Sequence, residues 1–181
     1  GLSSGATVIL AQFFGANDRK GVDNALHTGF ALSLMLGLLV TAVGCLLGPG
    51  ILVWMKTPEE CLPMSAEYIR IYFAGALASV VYNMEAGILR AMGDSRRPVY
   101  SLIAACLVNI VMDILLVVVL GMGVAGAALA TVLSQVISAL ILLWILLREK
   151  EYPLVLSRLH LDGKLLKRIL YIGIPAGLQF V

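Results

Sequence analysis

Long apolar stretches without a single charged residue dominate the sequence. Asp, Glu, Lys and Arg are absent from 1–17, 24–55, 71–84, 98–112 and 114–147. A soluble helix or strand keeps one face in water and rarely excludes charge over such lengths. A run of roughly 20 apolar residues is long enough to cross the hydrocarbon core of a bilayer. The pattern therefore predicts an all-α, polytopic membrane helix bundle.

Turn residues and charges divide these stretches into separate spans. We expect membrane helices over about 1–14, 26–55, 66–89, 98–120 and 124–147. Within the second span, Gly48-Pro49-Gly50 predicts a break in the helix.

After the last of these spans, a mixed-charge linker over 149–168 precedes a further apolar run over 169–181. This linker suits either a segment lying on the membrane surface or a solvated connector. The first residue is Gly1 rather than Met, and Val181 ends the chain inside an apolar run. We therefore expect a segment of a longer protein. No basic region precedes the first apolar run, so we expect no signal peptide.

Basic residues concentrate on alternate loops. If the spans cross alternately, the loops at 15–23, 90–97 and 148–168 share one side of the membrane. Those loops carry 11 of the 13 Lys and Arg residues, and the exceptions are Lys56 and Arg70. The positive-inside rule then predicts that the three loops are cytoplasmic in a multi-pass protein of the cell (inner) membrane.

Composition narrows the class of function. Hydrophobic residues make up 60% of the chain and charged residues 13%, with a net charge of +2. So small a charge, without clusters of aromatic and basic residues, argues against a nucleic-acid partner and favours membrane lipid. Cys45, Cys61 and Cys106 form no CxxC pair and are interpreted as small hydrophobes, so we expect neither disulfides nor a zinc cofactor.

Asn109 and Asp113 are the strongest candidates for a functional site. They are four residues apart and so project from one face of the same helix. Asp113 lies roughly 20 Å along that helix from Pro98, too deep for its carboxylate to reach the cytoplasmic surface. A buried carboxyl beside an amide can hold a proton or ligate a small cation such as Na⁺. The alternative is a structural hydrogen bond to a neighbouring helix.

Glu85 and Asn83 form a second polar pair within a span. Glu85 lies five residues before Arg90, within about 8 Å of the predicted cytoplasmic edge. Its carboxylate could therefore reach the interface or pair with a basic residue, which favours a structural role. The two residues are also candidates, with Tyr82, for the wall of a substrate cavity.

Aromatic residues near the helix ends have two interpretations. Tyr68, Tyr72 and Tyr82 could stack on a cationic drug, but tyrosines also anchor helices at the membrane interface. His27 opens its span beside a loop, so an interfacial position is favoured over a role as a ligand.

The stretch Gly121-Met-Gly123-Val-Ala-Gly126 imitates a dinucleotide-binding fingerprint. The apolar run before it is far longer than a buried strand, and no acid follows about 20 residues later to hold a ribose. Small residues that let two membrane helices approach closely explain it better. That predicted stripe comprises Gly123, Gly126, Ala127, Ala130, Thr131 and Ser134.

Four motifs together resemble one family of membrane transporters. They begin at Gln12 (QFFGAND), Gly87 (GILRAMGDSRRP), Asn109 (NIVMD) and Gly121 (GMGVAGAALAT). In this order they are similar to the MATE (multidrug and toxic compound extrusion) family, over essentially the whole chain. The resemblance implies a twelve-helix protein of two six-helix lobes around a central cavity. The chain would be a MATE-like N-lobe with helices two to six and the start of seven, and the C-terminal lobe would be its partner.

The same resemblance implies roles for individual residues. Asn109 and Asp113 match a cation or proton site of the N-terminal lobe, with H⁺ or Na⁺ as coupling ion and no other cofactor. The family's other acid in that lobe lies on helix one, which this chain lacks. Glu85 stands where the family has a small or neutral residue.

The sequence therefore predicts a transporter, not an enzyme, that exports cationic amphiphilic drugs or toxic compounds in exchange for a cation. A flippase for lipid-linked saccharides is one alternative, but it should line its cavity with several basic residues, and only Arg70 is available. A non-transporting membrane scaffold is the other, although it gives no reason for Asn109 and Asp113 to share one face.

Overall fold

A computed structural model describes residues 2–178, and helices account for most of them. The predictions for residue 1 and residues 179–181 lie outside this range. The α-helices are α1 (Leu2–Gly15), α2 (Arg19–Trp54), α3 (Leu62–Ala74), α4 (Ala76–Ala91), α5 (Arg96–Asp113), α6 (Gly123–Leu147) and α7 (Gly163–Leu178). A π-helical segment, Ile114–Val119, extends α5, and a 3-10 turn, Leu156–Arg158, lies in the linker.

Three helical stretches are long and apolar enough to cross a membrane: α2, α5 with its π-helical extension, and α6. The bent pair of α3 and α4 raises the number to four if it is one span. Large apolar side chains cover their outer surfaces, such as Leu46 at 79% and Val118 at 74% exposure. Such a surface suits lipid rather than water. The predicted all-α membrane bundle is confirmed.

The predicted break at Gly48-Pro49-Gly50 is wrong, because α2 continues through Pro49 to Trp54. Proline removes a backbone donor and crowds the preceding turn. Here Gly48 packs closely on α3, and a Cβ at this position would lie 2.5 Å from Ile69 Cγ2. Neighbouring helices commonly support a membrane helix across a proline in this way.

The predicted single span over 66–89 is two helices, α3 and α4, which meet at Gly75 with a bend of 40°. The amide of Gly75 still donates to the carbonyls of Ile71 and Tyr72. A Cβ on Gly75 would come 2.5 Å from Val132 Cγ2 of α6. The bend therefore falls where Val132 of α6 packs closely on the backbone.

The linker folds back onto the helices rather than lying free. Tyr152 and Leu154 are buried in the hydrophobic core, and the amide of Leu154 donates to the carbonyl of Leu146 at the end of α6. The ring of Tyr152 packs edge-on against Phe14 of α1. Two side chains of the linker therefore complete the core, while most of its other residues are exposed.

The last helix begins earlier than predicted, at Gly163 instead of Ile169. Asp162 precedes it, and its Oδ1 accepts hydrogen bonds from the amides of Lys164 at 2.8 Å and Leu165 at 3.3 Å. A carboxylate in this position satisfies the free donors of a first helical turn. The charged residues that suggested a linker therefore form the first turns of α7.

The three predicted cytoplasmic loops meet at one end of the bundle. Arg97, at the start of α5, forms an ion pair with Glu149 after α6. Thr28 Oγ1, near the start of α2, accepts a hydrogen bond from the amide of Asp162 at 3.3 Å. The helix ends that carry most of the basic residues are thereby brought together, as the alternating pattern requires.

Candidate functional site

A polar cavity of about 380 Å³ lies between α4, α5 and α6, and we call it the hydroxyl cavity. Helix α5 packs along α6 and has few contacts with α4, which leaves this space between them. The polar residues that line it are Ser79, Tyr82, Asn83, Asn109, Thr131, Ser134, Gln135 and Ser138. Leu102, Ala105 and Cys106 complete the lining, which contains neither basic nor acidic side chains.

Three hydroxyl groups of α6 donate their hydrogens within their own helix. Thr131 Oγ1 donates to the carbonyl of Ala127 at 3.0 Å, and Ser134 Oγ to that of Thr131 at 2.8 Å. Ser138 Oγ donates to the carbonyl of Gln135 at 2.9 Å. A hydroxyl that has donated its hydrogen keeps its lone pairs as acceptors. The α6 wall of the cavity therefore offers oxygen acceptors, which suit a cation.

The α4 wall has the same character. Asn83 Nδ2 donates to the carbonyl of Ser79 at 2.7 Å, which leaves the Asn83 amide oxygen to accept. The hydroxyl of Tyr82 donates to the carbonyl of Pro98 at 3.4 Å. The structure therefore brings together two of the three residues that the sequence suggested for a substrate cavity.

Asn109 lines the hydroxyl cavity, and Asp113 lies one turn beyond it on the same helix. That turn corresponds to about 6 Å along the axis. Asp113 is partly exposed. Among residues 2–178, the ion pairs are Asp94–Arg97 and Arg97–Glu149, and a carboxylate oxygen of Asp23 lies 3.4 Å from Nδ1 of His27. The carboxyl of Asp113 thus has no basic partner in the described part of the chain.

The helix changes its geometry directly after Asp113. Regular α5 ends at this residue and the π-helical segment, Ile114–Val119, follows, with the amide of Leu120 donating to the carbonyl of Leu115. Wide turns of this kind are rare and often occur at functional sites. Gly121 and Gly123 then take positive φ angles of 66° and 55° and close the hairpin to α6. The first two glycines of the apparent dinucleotide fingerprint therefore serve this turn.

Glu85, the third residue suggested for the cavity wall, lies elsewhere. Its exposure is 0%, and it is absent from the lining of the hydroxyl cavity. Neither carboxylate oxygen has a hydrogen-bond partner within the described residues. The expectation that it reaches the interface or pairs with a basic residue is wrong. Depth along a helix does not reveal which neighbouring helices cover a side chain, and here they cover it completely.

His27 is not interfacial, because it is fully buried and both ring nitrogens are engaged. Nδ1 lies 2.8 Å from the carbonyl oxygen of Asp23, and Nε2 accepts from the amide of Val155 at 3.1 Å. The imidazole therefore joins α2 to the linker. The remaining tyrosine candidates, Tyr68 and Tyr72, stack on each other along α3, away from the hydroxyl cavity.

A second cavity, of about 570 Å³, opens between α1 and α4 and is named the α1–α4 cavity. Its lining includes Ser3, Ser4, Thr7, Asn83 and Arg90. Arg90 was not among the site residues predicted from the sequence, because its position at the end of a span suggested a loop residue. Arg70, in contrast, is exposed and lines neither of these two cavities.

No group of three or more His, Cys, Asp or Glu residues converges anywhere in residues 2–178. A cation near Asp113 would therefore be held by one carboxylate and neutral oxygens. Thr131 and Ser134 place such oxygens in the hydroxyl cavity that Asn109 also lines, although the sequence suggested only helix packing for them. Their spacing along α6, with Ser138 one turn further, is the signal that could have revealed a polar wall.

Comparison with known proteins gives consistent matches. A sequence model described as MatE matches residues 1–115. The "Probable multidrug resistance protein YpnP" of Bacillus subtilis (strain 168) is 35% identical over 181 residues, which is 100% of this chain and 40% of that protein. The chain thus spans about 40% of the length of this curated relative.

Solved structures agree with the sequence matches. A multidrug resistance MATE family transporter of the MOP superfamily in its outward-facing conformation has a TM-score of 0.90 and 34% identity, over 98% of this chain and 40% of that one. An inward-facing structure of such a transporter has a TM-score of 0.89 and 33% identity, over 97% and 40%. These matches cover the helices that form the hydroxyl cavity. The chain belongs to the MatE family of multi-pass membrane transporters.

Proposed function

We propose that a full-length protein carrying this chain is a secondary active antiporter. It exports cationic amphiphilic drugs or toxic compounds across the cell membrane and is driven by an inward gradient of H⁺ or Na⁺. In this proposal Asp113 and Asn109 hold the coupling ion, and the hydroxyl cavity forms the wall on which the organic cation lies. The loops at 15–23, 90–97 and 148–168 face the cytoplasm.

The observation that carries this proposal is the chemistry of the hydroxyl cavity. Its hydroxyls from α6 and the Asn83 amide on α4 present acceptor oxygens, and its lining has no basic residue. A carboxyl without a basic partner, that of Asp113, lies one helical turn away. Acceptor oxygens beside an acid favour cations, whether inorganic or organic. An anionic substrate would find no positive charge there.

The exchange of the coupling ion for the organic cation follows from the charge of Asp113. When Asp113 is ionised, the lobe carries a negative charge that attracts the organic cation. When Asp113 binds H⁺ or Na⁺, that charge is neutralised and the organic cation loses its electrostatic partner. A protein that faces the cytoplasm with Asp113 ionised, and the outside with it neutralised, exchanges one cation for the other. Asn109 would supply an amide oxygen to Na⁺ or a hydrogen bond to the carboxyl.

The relatives support movement of whole lobes. This chain matches an inward-facing and an outward-facing MATE transporter with almost equal TM-scores, 0.89 and 0.90. Large changes within the lobe are therefore not needed for alternating access. A rocking motion of the N-terminal lobe against its C-terminal partner, around a site near the middle of the membrane, fits this likeness.

The proposed role of Asp113 is tested by ethidium efflux from cells that express the full-length protein. Asp113→Asn keeps the size of the side chain but cannot ionise, so gradient-driven efflux should fall to that of cells without the protein. Glu67→Gln, an exposed acid of α3, is the matched control and should leave efflux unchanged. Unchanged efflux in Asp113→Asn would disprove the proposed role.

Proteoliposomes identify the coupling ion. A pH gradient and a Na⁺ gradient are imposed separately on the purified full-length protein, and ethidium uptake is followed. Uptake driven by only one gradient names the ion, and uptake driven by neither contradicts antiport. Such an outcome would favour the scaffold alternative, which predicts no substrate-dependent ion flux.

One observation favours the flippase alternative. Arg90 lines the α1–α4 cavity beside Ser3, Ser4 and Thr7, and a guanidinium with hydroxyls is suited to a phosphate. A single basic residue is weaker support than the several that a lipid-linked saccharide requires. If Arg90→Gln abolished transfer of such a lipid in proteoliposomes while ethidium efflux was absent, the flippase would replace the antiporter.

A further inference from the structure

Glu85 is a buried acid that the proposed ion site does not use. Its exposure is 0% and both of its carboxylate oxygens are buried without a hydrogen-bond partner in the described residues. The residues next to it along α4, from Met84 to Leu89, are all buried as well. An ionised carboxylate is strongly unfavourable in such surroundings, whereas the protonated acid is tolerated. In this arrangement of the helices Glu85 therefore carries a proton.

The packing of α4 shows which way Glu85 projects. Two residues of α4 face α2: a Cβ on Gly29 would lie 3.4 Å from Met84 Sδ, and a Cβ on Gly37 would lie 2.6 Å from Leu77 Cδ1. Successive residues turn by about 100° around a helix axis. Glu85, next after Met84, is therefore rotated from the α2-facing side by roughly a quarter turn.

The hydroxyl cavity lies on the other side of Glu85 around the axis of α4. Ser79 and Tyr82 of α4 line that cavity together with α6. Around the axis of α4 the side chains follow in the order Met84, Glu85, Tyr82 and Ser79. Glu85 consequently occupies the arc of α4 between α2 and α6, only three residues along the chain from Tyr82.

The ionisable groups of the surrounding helices give Glu85 no counter-ion. Helices α1 and α6 contain no ionisable side chain. On α2 the buried ionisable side chain is His27, whose ring nitrogens contact the backbone of Asp23 and Val155. On α4 itself, Tyr82 faces the hydroxyl cavity and Arg90 the α1–α4 cavity. Every ionisable side chain of α3 and α5 is at least partly exposed.

Helix α4 is bounded by a bend at one end and a loop at the other. It begins at the 40° bend after Gly75 and ends at Ala91, before the loop that leads into α5. A bend at a glycine allows a short helix to tilt or rotate while α3 stays in place. Because Tyr82, Asn83 and Glu85 lie within one turn of the same helix, a rotation that reshapes the hydroxyl cavity also changes the surroundings of Glu85.

We propose that Glu85 is a second proton-binding site of this lobe, and that it releases its proton when an organic cation occupies the hydroxyl cavity and shifts α4. The O–H bond of the acid breaks, the electron pair stays on the carboxylate oxygen, and the proton passes to solvent water. The new negative charge offsets part of the positive charge of the bound cation. This inference rests on the proposed function, since it takes the hydroxyl cavity as the place where the cation binds.

The coupling is reciprocal, because two ligands that share one conformational change affect each other's binding equally. Binding of an organic cation should release a proton, and acidification should weaken binding of the organic cation. Asp113 acts through its own charge one turn beyond Asn109, whereas Glu85 acts through the position of α4. The two acids can therefore be separated by experiment.

The test uses infrared spectroscopy of the purified full-length protein in lipid nanodiscs, before and after addition of ethidium. A protonated carboxylic acid has a carbonyl band that a carboxylate lacks. The wild-type protein should lose part of this band when ethidium binds, and a pH-sensitive dye should detect released protons. Glu85→Gln should lack that part of the band and release fewer protons, while Glu67→Gln should behave as the wild type.

Two further variants keep the result interpretable. If Glu85→Gln does not fold, Glu85→Asp retains the acid and should shift the frequency of the band. In the absence of ethidium, Asp113→Asn should keep the Glu85 band. A wild-type band that is absent, that ethidium leaves unchanged, or that persists in Glu85→Gln would overturn the proposal. Failure of the proposed function would appear differently, as unchanged gradient-driven efflux in Asp113→Asn.

Discussion

The Nε2 atom of His27 accepts a hydrogen bond from the backbone amide of Val155 at 3.1 Å, across 128 positions of the sequence. Since Nε2 accepts, the ring hydrogen is on Nδ1, which donates to the carbonyl of Asp23 at 2.8 Å. The neutral imidazole thus holds the linker against the start of α2. It also satisfies a backbone amide that would otherwise lack a partner.

We expect His27→Ala to loosen the linker in the full-length protein. The substitution leaves the amide of Val155 without its acceptor and opens a space in the core, which should cost about 1–3 kcal/mol. Hydrogen–deuterium exchange measures the effect directly, and the amides of 152–162 should exchange faster. His160→Ala is the control, because that exposed ring stacks on His27 at 6.3 Å and has only a local hydrogen-bond contact, with the carbonyl of Arg158 two residues before it. Equal exchange in wild type and His27→Ala would show that the core alone holds the linker.

The contact between α2 and α4 at Gly37 permits no side chain. A Cβ at this position would lie 2.6 Å from Leu77 Cδ1 and 3.0 Å from Leu77 Cα, and the latter atom cannot move without the backbone. Gly37→Ala should therefore destabilise the protein by about 1–3 kcal/mol, as overpacking does. The measurement is the midpoint of thermal unfolding of the full-length protein in detergent.

A second glycine of α2 provides the matched control for Gly37. A Cβ on Gly50 would meet nothing within 4 Å. Because alanine favours a helix over glycine by about 1 kcal/mol, Gly50→Ala should be neutral or slightly stabilising. Equal losses of stability in the two variants would mean that helix propensity, and not the approach of Leu77, determines the result.

The sequence predicted the spans well and the irregularities poorly, for a physical reason. Apolar length is a local property, so hydropathy alone placed the stretches that became α2, α5 and α6. The bend at Gly75 depends on Val132, which lies far away along the chain, and the continuity of α2 through Pro49 depends on packing against α3. Neither contact can be read from a local pattern.

Half of the candidate site could be predicted. Asn109 and Asp113 were identified because a carboxyl and an amide one turn apart are costly in lipid. Thr131 and Ser134 were interpreted as packing residues, since small side chains in a membrane helix serve both purposes. Only the separation of α4 from α5 shows that these hydroxyls line a cavity. Glu85 was misplaced because its burial depends on α2 and α6 together.

The proposed orientation of the chain can be tested with cysteine labelling in intact cells. Native Cys61 is exposed in the loop between α2 and α3, and Ser95 is exposed in the loop between α4 and α5. A membrane-impermeant maleimide should label Cys61 in a variant without the other cysteines. In Ser95→Cys with Cys61→Ser, labelling should require permeabilised cells, because that loop is expected in the cytoplasm.

The reverse labelling pattern would place the basic loops outside. It would contradict both the positive-inside interpretation and the proposed direction of export. Labelling of both positions in intact cells would instead indicate a leaky preparation, which a cytosolic marker protein detects. The marker must therefore remain unlabelled for either pattern to count.

Thr131 offers the sharpest test of the hydroxyl cavity. Its Oγ1 donates to the carbonyl of Ala127 at 3.0 Å, so its lone pairs remain free toward the cavity that Asn109 also lines. Thr131→Val keeps the shape of the side chain and removes that acceptor. Loss of one polar contact should cost about 1 kcal/mol, so the half-saturating concentration of ethidium should rise about fivefold. The measurement is ion-driven ethidium uptake into proteoliposomes, with Thr57→Val in the loop before α3 as the control. A fivefold rise in the control as well, or none in Thr131→Val, would mean that the hydroxyls of α6 do not face the transported cations.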